Sequence, residues 1–171
     1  RNHTCAVLAD GSARCWGFNL NRQLGDGTSA TTQRFPVTVR ELGDAVVIAA
    51  GAAHSCALIA NGATRCWGNG TAERVALLPG GSGFAARAVA AGRFHSCALR
   101  ANGQVSCWGL NSAGQLGNGT NVNQLVPVTV LNNAVAVAAG NSHTCALLAN
   151  GTARCWGENS VGQVGDGSAI K

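Results

Sequence analysis

Cysteine and histidine are the residues of this 171-residue chain whose spacing could support chemistry. Eight cysteines form four pairs with members ten positions apart, and a histidine precedes each pair by two positions. Such a set could form a disulfide, bind zinc through two thiolates and an imidazole, or remain as buried thiols. The pairs are Cys5 and Cys15, Cys56 and Cys66, Cys97 and Cys107, and Cys145 and Cys155. Recurrence in four copies favours a structural staple over a catalytic metal site.

The other polar residues do not form a recognisable catalytic arrangement. Histidine can act as a base or a ligand, but fourfold recurrence favours a turn-fixing role through hydrogen bonds to neighbouring backbone. The histidines are His3, His54, His95 and His143. Only seven carboxylates are present, and Asp10, Asp26 and Asp166 precede glycine in predicted turns. The glycine clusters at 80–83 and 162–167 lack the following helix and Lys-Ser/Thr pair of a phosphate loop. We therefore expect no catalytic residue, no metal and no cofactor.

The elements that would position these residues come from a repeat. The histidines are 51, 41 and 48 residues apart, and each is followed by Asp-Gly or Asn-Gly and then by Cys-Trp-Gly. Each unit is predicted to hold four strands: a Pro-Val-Thr-Val strand led by its proline, an Ala-Val-rich strand, a strand with the first cysteine, and a strand ending in Cys-Trp-Gly. Four strands per repeat are typical of a β-propeller blade. Frequent glycine and proline leave no window for a helix, so the predicted class is all-β.

The hairpin inside each repeat has a predictable register. A three-residue loop with glycine in the left-handed position, at Ala9-Asp10-Gly11, places Cys5 opposite Cys15. Counted from the closing pair, the cysteines form a non-hydrogen-bonded pair, where side chains approach most closely. The same arithmetic applies to all eight cysteines. Four local disulfides are therefore predicted, and they imply an oxidising location, namely extracellular, periplasmic or at the cell surface.

These motifs resemble the repeats of the regulator of chromosome condensation family. The pattern Ala-Ala-Gly-x-x-His-Ser/Thr-x-Ala-Leu, then Asn-Gly, Trp-Gly and Asn-x-x-Gly-Gln-Leu-Gly, is fullest from Val89 to Gly119. The resemblance implies a seven-bladed β-propeller of which about 3.5 blades are present. The predicted single partial propeller spans 1–171, with a half blade at 3–27 and blades at 28–70, 71–119 and 120–168.

Several features depart from the general pattern of that family. Paired cysteines resemble an exported bacterial subgroup. The second repeat lacks Gly-Gln-Leu-Gly and has a short link from Asn69 to Gly83, and Arg22 replaces a glycine in the first copy. The chain contains no methionine, so we expect a processed form or a fragment. It would then be part of a larger propeller, unless self-association completes the ring.

Composition constrains the class of partner. The net charge is +5, and the arginines are dispersed without the cluster that follows a phosphate backbone, which disfavours nucleic acid. No apolar run reaches the roughly 20 residues of a membrane span. The four tryptophans, each beside a glycine, are predicted to pack between blades rather than to stack on bases.

The two-residue turn before each histidine varies between repeats. In a propeller these turns share one face, and loops on a rigid scaffold tend to carry function. We expect partner contacts from Arg93 and Phe94 first, then from Arg1 and Asn2, and from the equivalent Asn141 and Ser142. The fourth turn is Ala52-Ala53.

The sequence thus predicts a non-enzymatic propeller that binds another protein through its rim loops. The alternative implied by the resemblance is a guanine-nucleotide exchange factor for a small GTPase, and free thiols would favour it. A hydrolase or lyase is a third hypothesis, which would need carboxylates converging on the central channel.

Overall fold

The structure, a computed structural model, describes residues 2–68 and 85–169, and this part of the chain is built from β-strands and turns. Within these ranges no helix is long and apolar enough to cross a bilayer. The strands are β1 (His3–Val7), β2 (Ala13–Phe18), β3 (Thr32–Thr38), β4 (Ala45–Ala50), β5 (His54–Ile59), β6 (Thr64–Gly68), β7 (Ala86–Ala91), β8 (His95–Arg100), β9 (Val105–Gly109), β10 (Gln124–Leu131), β11 (Ala134–Ala139), β12 (His143–Leu148) and β13 (Ala153–Gly157). The all-β prediction is confirmed.

The strands form four antiparallel sheets that follow one another along the chain. Sheet 1 has the order β1-β2-β3, sheet 2 has β4-β5-β6, sheet 3 has β7-β8-β9-β10, and sheet 4 has β11-β12-β13. Each sheet packs face to face against the next, and an apolar cluster lies between each successive pair. This succession of small packed sheets is the arrangement of propeller blades.

The predicted order of strands within a unit is wrong at one position. The Pro-Val-Thr-Val strands β3 and β10 pair with the Cys-Trp-Gly strands that precede them, so they end a sheet rather than begin one. Pro36 and Pro127 lie inside these strands rather than at their leading ends, at points where the register is irregular. Both are outer strands of their sheets, where the backbone N–H that proline lacks is not needed for pairing. The repeat has the same period whichever strand is counted as its first. The period alone therefore does not show which strand lies at the edge of a sheet. The short link from Asn69 to Gly83 falls outside the described residues.

The predicted hairpin register is confirmed in all four sheets. Cys5 faces Cys15, and the same register recurs for the other three cysteine pairs. The Leu8 amide donates to the Ser12 carbonyl at 2.8 Å and closes the first hairpin. Gly11 adopts a φ of 80°, which a residue with a side chain rarely takes. Turn chemistry thus sets which residues face each other.

Candidate functional site

The eight cysteines form four disulfides, each within one hairpin. The joined residues have Cα atoms 4.0–4.1 Å apart, as expected for a non-hydrogen-bonded pair. These pairings agree with the sequence prediction. The zinc and free-thiol alternatives do not hold, because disulfide sulfurs offer no thiolate. Among residues 2–68 and 85–169 no group of three His, Cys, Asp or Glu side chains is placed to hold a metal ion.

Three of the four disulfides share an apolar cluster with a tryptophan of the following sheet. The Cys56–Cys66 disulfide shares a cluster with Trp108, and the Cys97–Cys107 disulfide shares one with Trp156. Trp67 packs in the same way on the cluster that contains the first disulfide. The predicted packing between blades is therefore confirmed for Trp67, Trp108 and Trp156.

Three of the four histidines link successive sheets through a side-chain hydroxyl. The Nε2 atoms of His3, His54 and His95 lie 2.8–2.9 Å from a hydroxyl oxygen of the next sheet. Those hydroxyls belong to Ser55, Ser96 and Thr144 respectively. The sequence predicted bonds to neighbouring backbone, but the Nε2 bonds instead join two sheets, a contact that one repeat read alone cannot reveal.

Two of these hydroxyls also donate to a backbone carbonyl, and this fixes the tautomer of the histidines that bond them. Ser55 donates to the carbonyl of Gln23 at 2.8 Å, and Thr144 donates to that of Gln115 at 2.8 Å. A hydroxyl has one proton to give, so its oxygen accepts from the imidazole. The Nε2 atoms of His3 and His95 therefore carry the proton. The indole N–H groups of the next sheet, on Trp67 and Trp156, donate to these two carbonyls at 2.9 and 3.0 Å.

Burial holds His95 in the neutral form. Desolvation, and then the positive charges that His54 and His143 would carry, lower the pKa of His95 to about 4. Its Nδ1 atom is buried without a hydrogen-bond partner, so a second N–H on the ring would be unsatisfied. His95 is therefore a structural donor at neutral pH rather than a general base.

The glutamine carbonyls are held by a loop built on a buried asparagine. In the loop after β9, the Asn111 side chain accepts from the Leu116 amide at 2.9 Å and donates to the Thr120 carbonyl at 2.8 Å. The loop after β2 repeats this design with Asn19, whose side chain accepts from the Leu24 amide at 3.0 Å. Sequence reasoning noted these Asn- and Gly-rich segments but missed their role, although the recurring Gln-Leu-Gly was the available signal.

Two of the carboxylates are also engaged locally. Burial would raise the pKa of Asp26, but hydrogen bonds from Thr28, Gln33 and Asn19 outweigh it and hold the pKa below its ordinary value. Hydrogen bonds from the Ser168 amide and hydroxyl lower the pKa of Asp166. These carboxylates are anionic turn-formers at neutral pH, so neither is a poised general acid.

The turns before the histidines lie side by side on one face. The Ala52 amide donates to the Gly92 carbonyl at 3.3 Å, and the Arg93 amide donates to the Asn141 carbonyl at 3.0 Å. Backbone bonds thus join the turns of sheets 2, 3 and 4. We call this surface the turn face. It consists of residues 52–53, 93–94 and 141–142.

The side chains of the turn face differ in exposure. Arg93, Phe94 and Asn141 are exposed, Ser142 is half-buried, and Ala53 is buried. The Arg93 guanidinium lies over the Phe94 ring, 5.1 Å from its centroid, a cation–π arrangement that presents charge and an aromatic ring together. Asn2 is exposed at the start of β1, and Arg1 lies outside the described residues. Structure thus gathers four of the six predicted contact residues onto one surface.

Comparison with known families matches repeats along most of the chain. The regulator of chromosome condensation (RCC1) repeat matches residues 10–58 and 102–147, and a second RCC1 repeat description matches residues 86–115 and 134–163. Among curated proteins, the human probable E3 ubiquitin-protein ligase HERC3 is 40% identical over 77 residues, which are 44% of this chain and 7% of that protein. The chain thus spans less than a tenth of this relative.

Solved structures share the fold. The chain is similar to human WBSCR16, with a TM-score of 0.83 and 23% identity over 100% of this chain and 49% of that one. It is also similar to Prp20p from Saccharomyces cerevisiae, with a TM-score of 0.82 and 26% identity over 96% of this chain and 44% of that one. The chain covers about half of each structure.

Proposed function

The chain belongs to the RCC1 repeat family, and from that premise we propose that it is a non-enzymatic β-propeller segment that binds another protein through its turn face. The fold is an RCC1-type propeller built of successive antiparallel blades. We further propose that residues 1–171 form one partial propeller within a seven-bladed ring. An oxidising location outside the cytoplasm completes the proposal.

The contrast between recurring residues and variable residues carries this proposal. The recurring histidines, cysteines and tryptophans are engaged in contacts within and between sheets. The turn face, in contrast, changes from blade to blade and offers exposed side chains at Arg93, Phe94 and Asn141. Variation on a rigid, repeated scaffold is the usual design of a recognition surface.

The chemistry of the turn face indicates the kind of segment it would bind. Within the described residues Arg93 makes no ion pair, and its side-chain contact is with the Phe94 ring. Arginine and aromatic residues are enriched where interfaces concentrate binding energy. An acidic side chain beside an apolar one would satisfy both groups, and the net charge of +5 would assist its approach.

The four disulfides support the proposed location. Thiols of cytosolic proteins are kept reduced, whereas disulfides persist in secreted and periplasmic proteins. All eight cysteines of this chain are paired. A chain that worked in the cytosol would need to fold with these pairs reduced, although three of them lie in the apolar clusters that join successive sheets.

The second candidate function is exchange of guanine nucleotide on a small GTPase. The similarity to Prp20p, a protein with binding properties to Gsp1p and histones, favours this candidate. Redox state separates the two hypotheses. An exchange factor of the cytosol or nucleus should stimulate nucleotide release with reduced cysteines, whereas the propeller proposed here should have no effect on release in either redox state.

Photo-crosslinking tests the turn face directly. We would place p-benzoylphenylalanine at position 94 and, in a matched control, at position 35, because Phe35 is 80% exposed on the outer strand β3. The oxidised chain is then irradiated with extracytoplasmic proteins of its source cells. The proposal predicts a discrete adduct from position 94 that Arg93→Ala removes, with none from position 35. An adduct from position 35 alone, or one at position 94 that Arg93→Ala leaves unchanged, would contradict it.

A further inference from the structure

Five asparagines of this chain precede a glycine, and the structure places one of them in a different setting from three others. A glycine amide nitrogen can attack the side-chain carbonyl of the preceding asparagine, because glycine has no side chain to block the approach. Asn118 lies in the loop after β9, whereas Asn61, Asn102 and Asn150 lie in the hairpin loops. Asn69 falls outside the described residues. The structure therefore separates sites that the sequence makes equivalent.

The side-chain carbonyl oxygen of Asn118 accepts three hydrogen bonds. Its donors are the Thr120 amide at 3.1 Å, the Thr120 hydroxyl at 2.9 Å and the side-chain amide of the buried Asn111 at 3.0 Å. A backbone amide can only donate, so the accepting atom is Oδ1. Attack on the adjacent carbon places negative charge on this oxygen, and donors already in position stabilise such charge. The loop therefore forms an oxyanion-binding arrangement at Asn118.

The attacking and the leaving nitrogen are both available at this site. Within residues 2–68 and 85–169, neither the Gly119 amide nor Nδ2 of Asn118 makes a hydrogen bond. Gly119 is exposed, and apart from its chain neighbours no atom lies within 4 Å of the point where a side chain would begin. In the hairpin loops, by contrast, the glycine amide donates to a strand carbonyl at 2.9–3.0 Å, as seen at Gly62, Gly103 and Gly151. The attacking nitrogen is therefore free at Asn118 and held at the hairpin sites.

The two equivalent loops already contain the acid that such a reaction produces. Asp26 and Asp166 occupy the position equivalent to Asn118. Each accepts from the amide and the hydroxyl of the residue two positions later, as Asn118 does. Hydrogen bonds from the Ser168 amide and hydroxyl lower the pKa of Asp166, so this loop design stabilises negative charge on the side-chain oxygens. An aspartate at position 118 therefore keeps the bonds of the loop.

We propose that Asn118 is a self-modifying site, which deamidates in the folded protein. The Gly119 amide nitrogen gives its proton to hydroxide from the solvent and forms a bond with Cγ of Asn118. The Cγ–Nδ2 bond breaks, Nδ2 takes a proton from water, and ammonia leaves behind a five-membered succinimide. Water then opens this ring. Cleavage of the Cγ–N bond gives aspartate, and cleavage at the backbone carbonyl gives isoaspartate, with no atom oxidised or reduced.

The modification changes the end of sheet 3 that carries the turn face. The loop after β9 begins at Leu110, whose amide donates to the Phe94 carbonyl at 2.9 Å. Each converted molecule gains one negative charge in this loop, and isoaspartate also adds a methylene group to its backbone. The converted fraction therefore rises with the age of the folded protein.

Peptide mapping of the folded, oxidised protein tests this proposal. Asn150 is the matched internal control, because an identical Asn-Gly-Thr sequence begins there and at Asn118. The protein is incubated at mildly alkaline pH in heavy-oxygen water, then digested in ordinary water and analysed by mass spectrometry. Each conversion during the incubation takes one heavy oxygen atom from the solvent. We expect Asn118 to convert roughly tenfold faster than Asn150, a ratio that corresponds to about 1.4 kcal/mol of additional transition-state stabilisation.

Substitution of the hydroxyl donor separates the loop geometry from the local sequence. Thr120→Val should slow conversion of Asn118 several-fold, whereas Thr120→Ser should retain the rate, since serine occupies the equivalent position 168. Thr152→Val is the matched control, because Thr152 gives Asn150 its amide and not its hydroxyl. It should leave the rate at Asn150 unchanged.

Unfolding the protein removes the predicted difference. In reduced protein in urea, Asn118 and Asn150 should convert at similar rates, because their local sequences are identical. Equal rates at the two sites in the folded protein would overturn the proposal. A difference that persists in urea would assign it to the sequence rather than to the loop, and would overturn the proposal as well. So would a folded Thr120→Val variant that converts as fast as the unchanged protein.

Discussion

The hydroxyl of Thr144 provides a sharp test of how the sheets are joined. It accepts from His95 and donates to the Gln115 carbonyl across the interface between sheets 3 and 4. Thr144→Val keeps the shape and removes both bonds. The Gln115 carbonyl keeps the indole donor of Trp156, but the buried His95 N–H is left without an acceptor. A buried unsatisfied donor costs about 1–3 kcal/mol, so we expect the free energy of unfolding to fall by about 2 kcal/mol.

Two further substitutions calibrate this effect. Thr144→Ser keeps the hydroxyl and loses one methyl group, which should cost about 1 kcal/mol or less, and serine occupies the equivalent positions 55 and 96. Thr4→Val removes an exposed hydroxyl at the equivalent position of sheet 1, where it should change stability by less than about 0.5 kcal/mol in the monomeric chain. Urea unfolding followed by tryptophan fluorescence measures all three variants at low protein concentration.

The order of the free energies of unfolding of these variants decides whether the hydroxyl stabilises the interface. The proposed link requires Thr144→Val to be clearly worse than both Thr144→Ser and Thr4→Val. If Thr144→Val is as stable as Thr4→Val, the hydroxyl bridge contributes nothing and the deduced histidine tautomer loses its basis. If Thr144→Ser is as damaging as Thr144→Val, the methyl group rather than the hydroxyl is what matters.

Three other perturbations address the pH response, the disulfides and one loop. Acidification from about pH 6.5 to 4 should reduce stability by about 3 kcal/mol through His95, because the unfolded imidazole binds a proton that the folded one, with a pKa of about 4, does not. Urea unfolding as a function of pH should show that His95→Gln removes this loss, whereas the control His143→Gln, at a half-exposed position, retains it. An unchanged pH profile in His95→Gln would contradict the attribution of the loss to His95. The double substitution Cys97→Ala and Cys107→Ala opens a link between residues ten apart and should cost about 3 kcal/mol in thermal or urea unfolding, and a loss below about 1 kcal/mol would argue against a structural staple. Arg22 holds a φ of 57°, where the two equivalent loops have glycine. Arg22→Gly should therefore raise the free energy of unfolding by up to about 1 kcal/mol. A destabilised variant would show that contacts of the arginine side chain outweigh the cost of its backbone conformation.

Local rules were sufficient to predict the hairpins. The Ala-Asp-Gly loop sets a register with Cys5 opposite Cys15, because loop length and a left-handed glycine leave one favoured pairing. The disulfides follow from that register. Tryptophan beside glycine in every repeat pointed to packing between blades, which the shared apolar cluster of Trp108 and the Cys56–Cys66 disulfide confirms.

Contacts between repeats were harder to predict. His54 bonds Ser96, 42 residues away, and neither residue type signals its partner. The carbonyl of Gln115 receives two donors, but a backbone acceptor leaves no mark in the side-chain sequence. The sheet boundary was misplaced for a related reason, since the Pro-Val-Thr-Val strand could close one blade or open the next and only the loop geometry decides.

Disulfide mapping tests the central claim most directly, namely that every hairpin is closed by its own cysteine pair. The natural protein, digested without reduction, should yield four linked peptide pairs that each join cysteines ten residues apart. Reduction should then add two hydrogens for each of the four bonds. A peptide that joins cysteines of different hairpins, or free thiols in the natural protein, would contradict both the structural role and the proposed oxidising location.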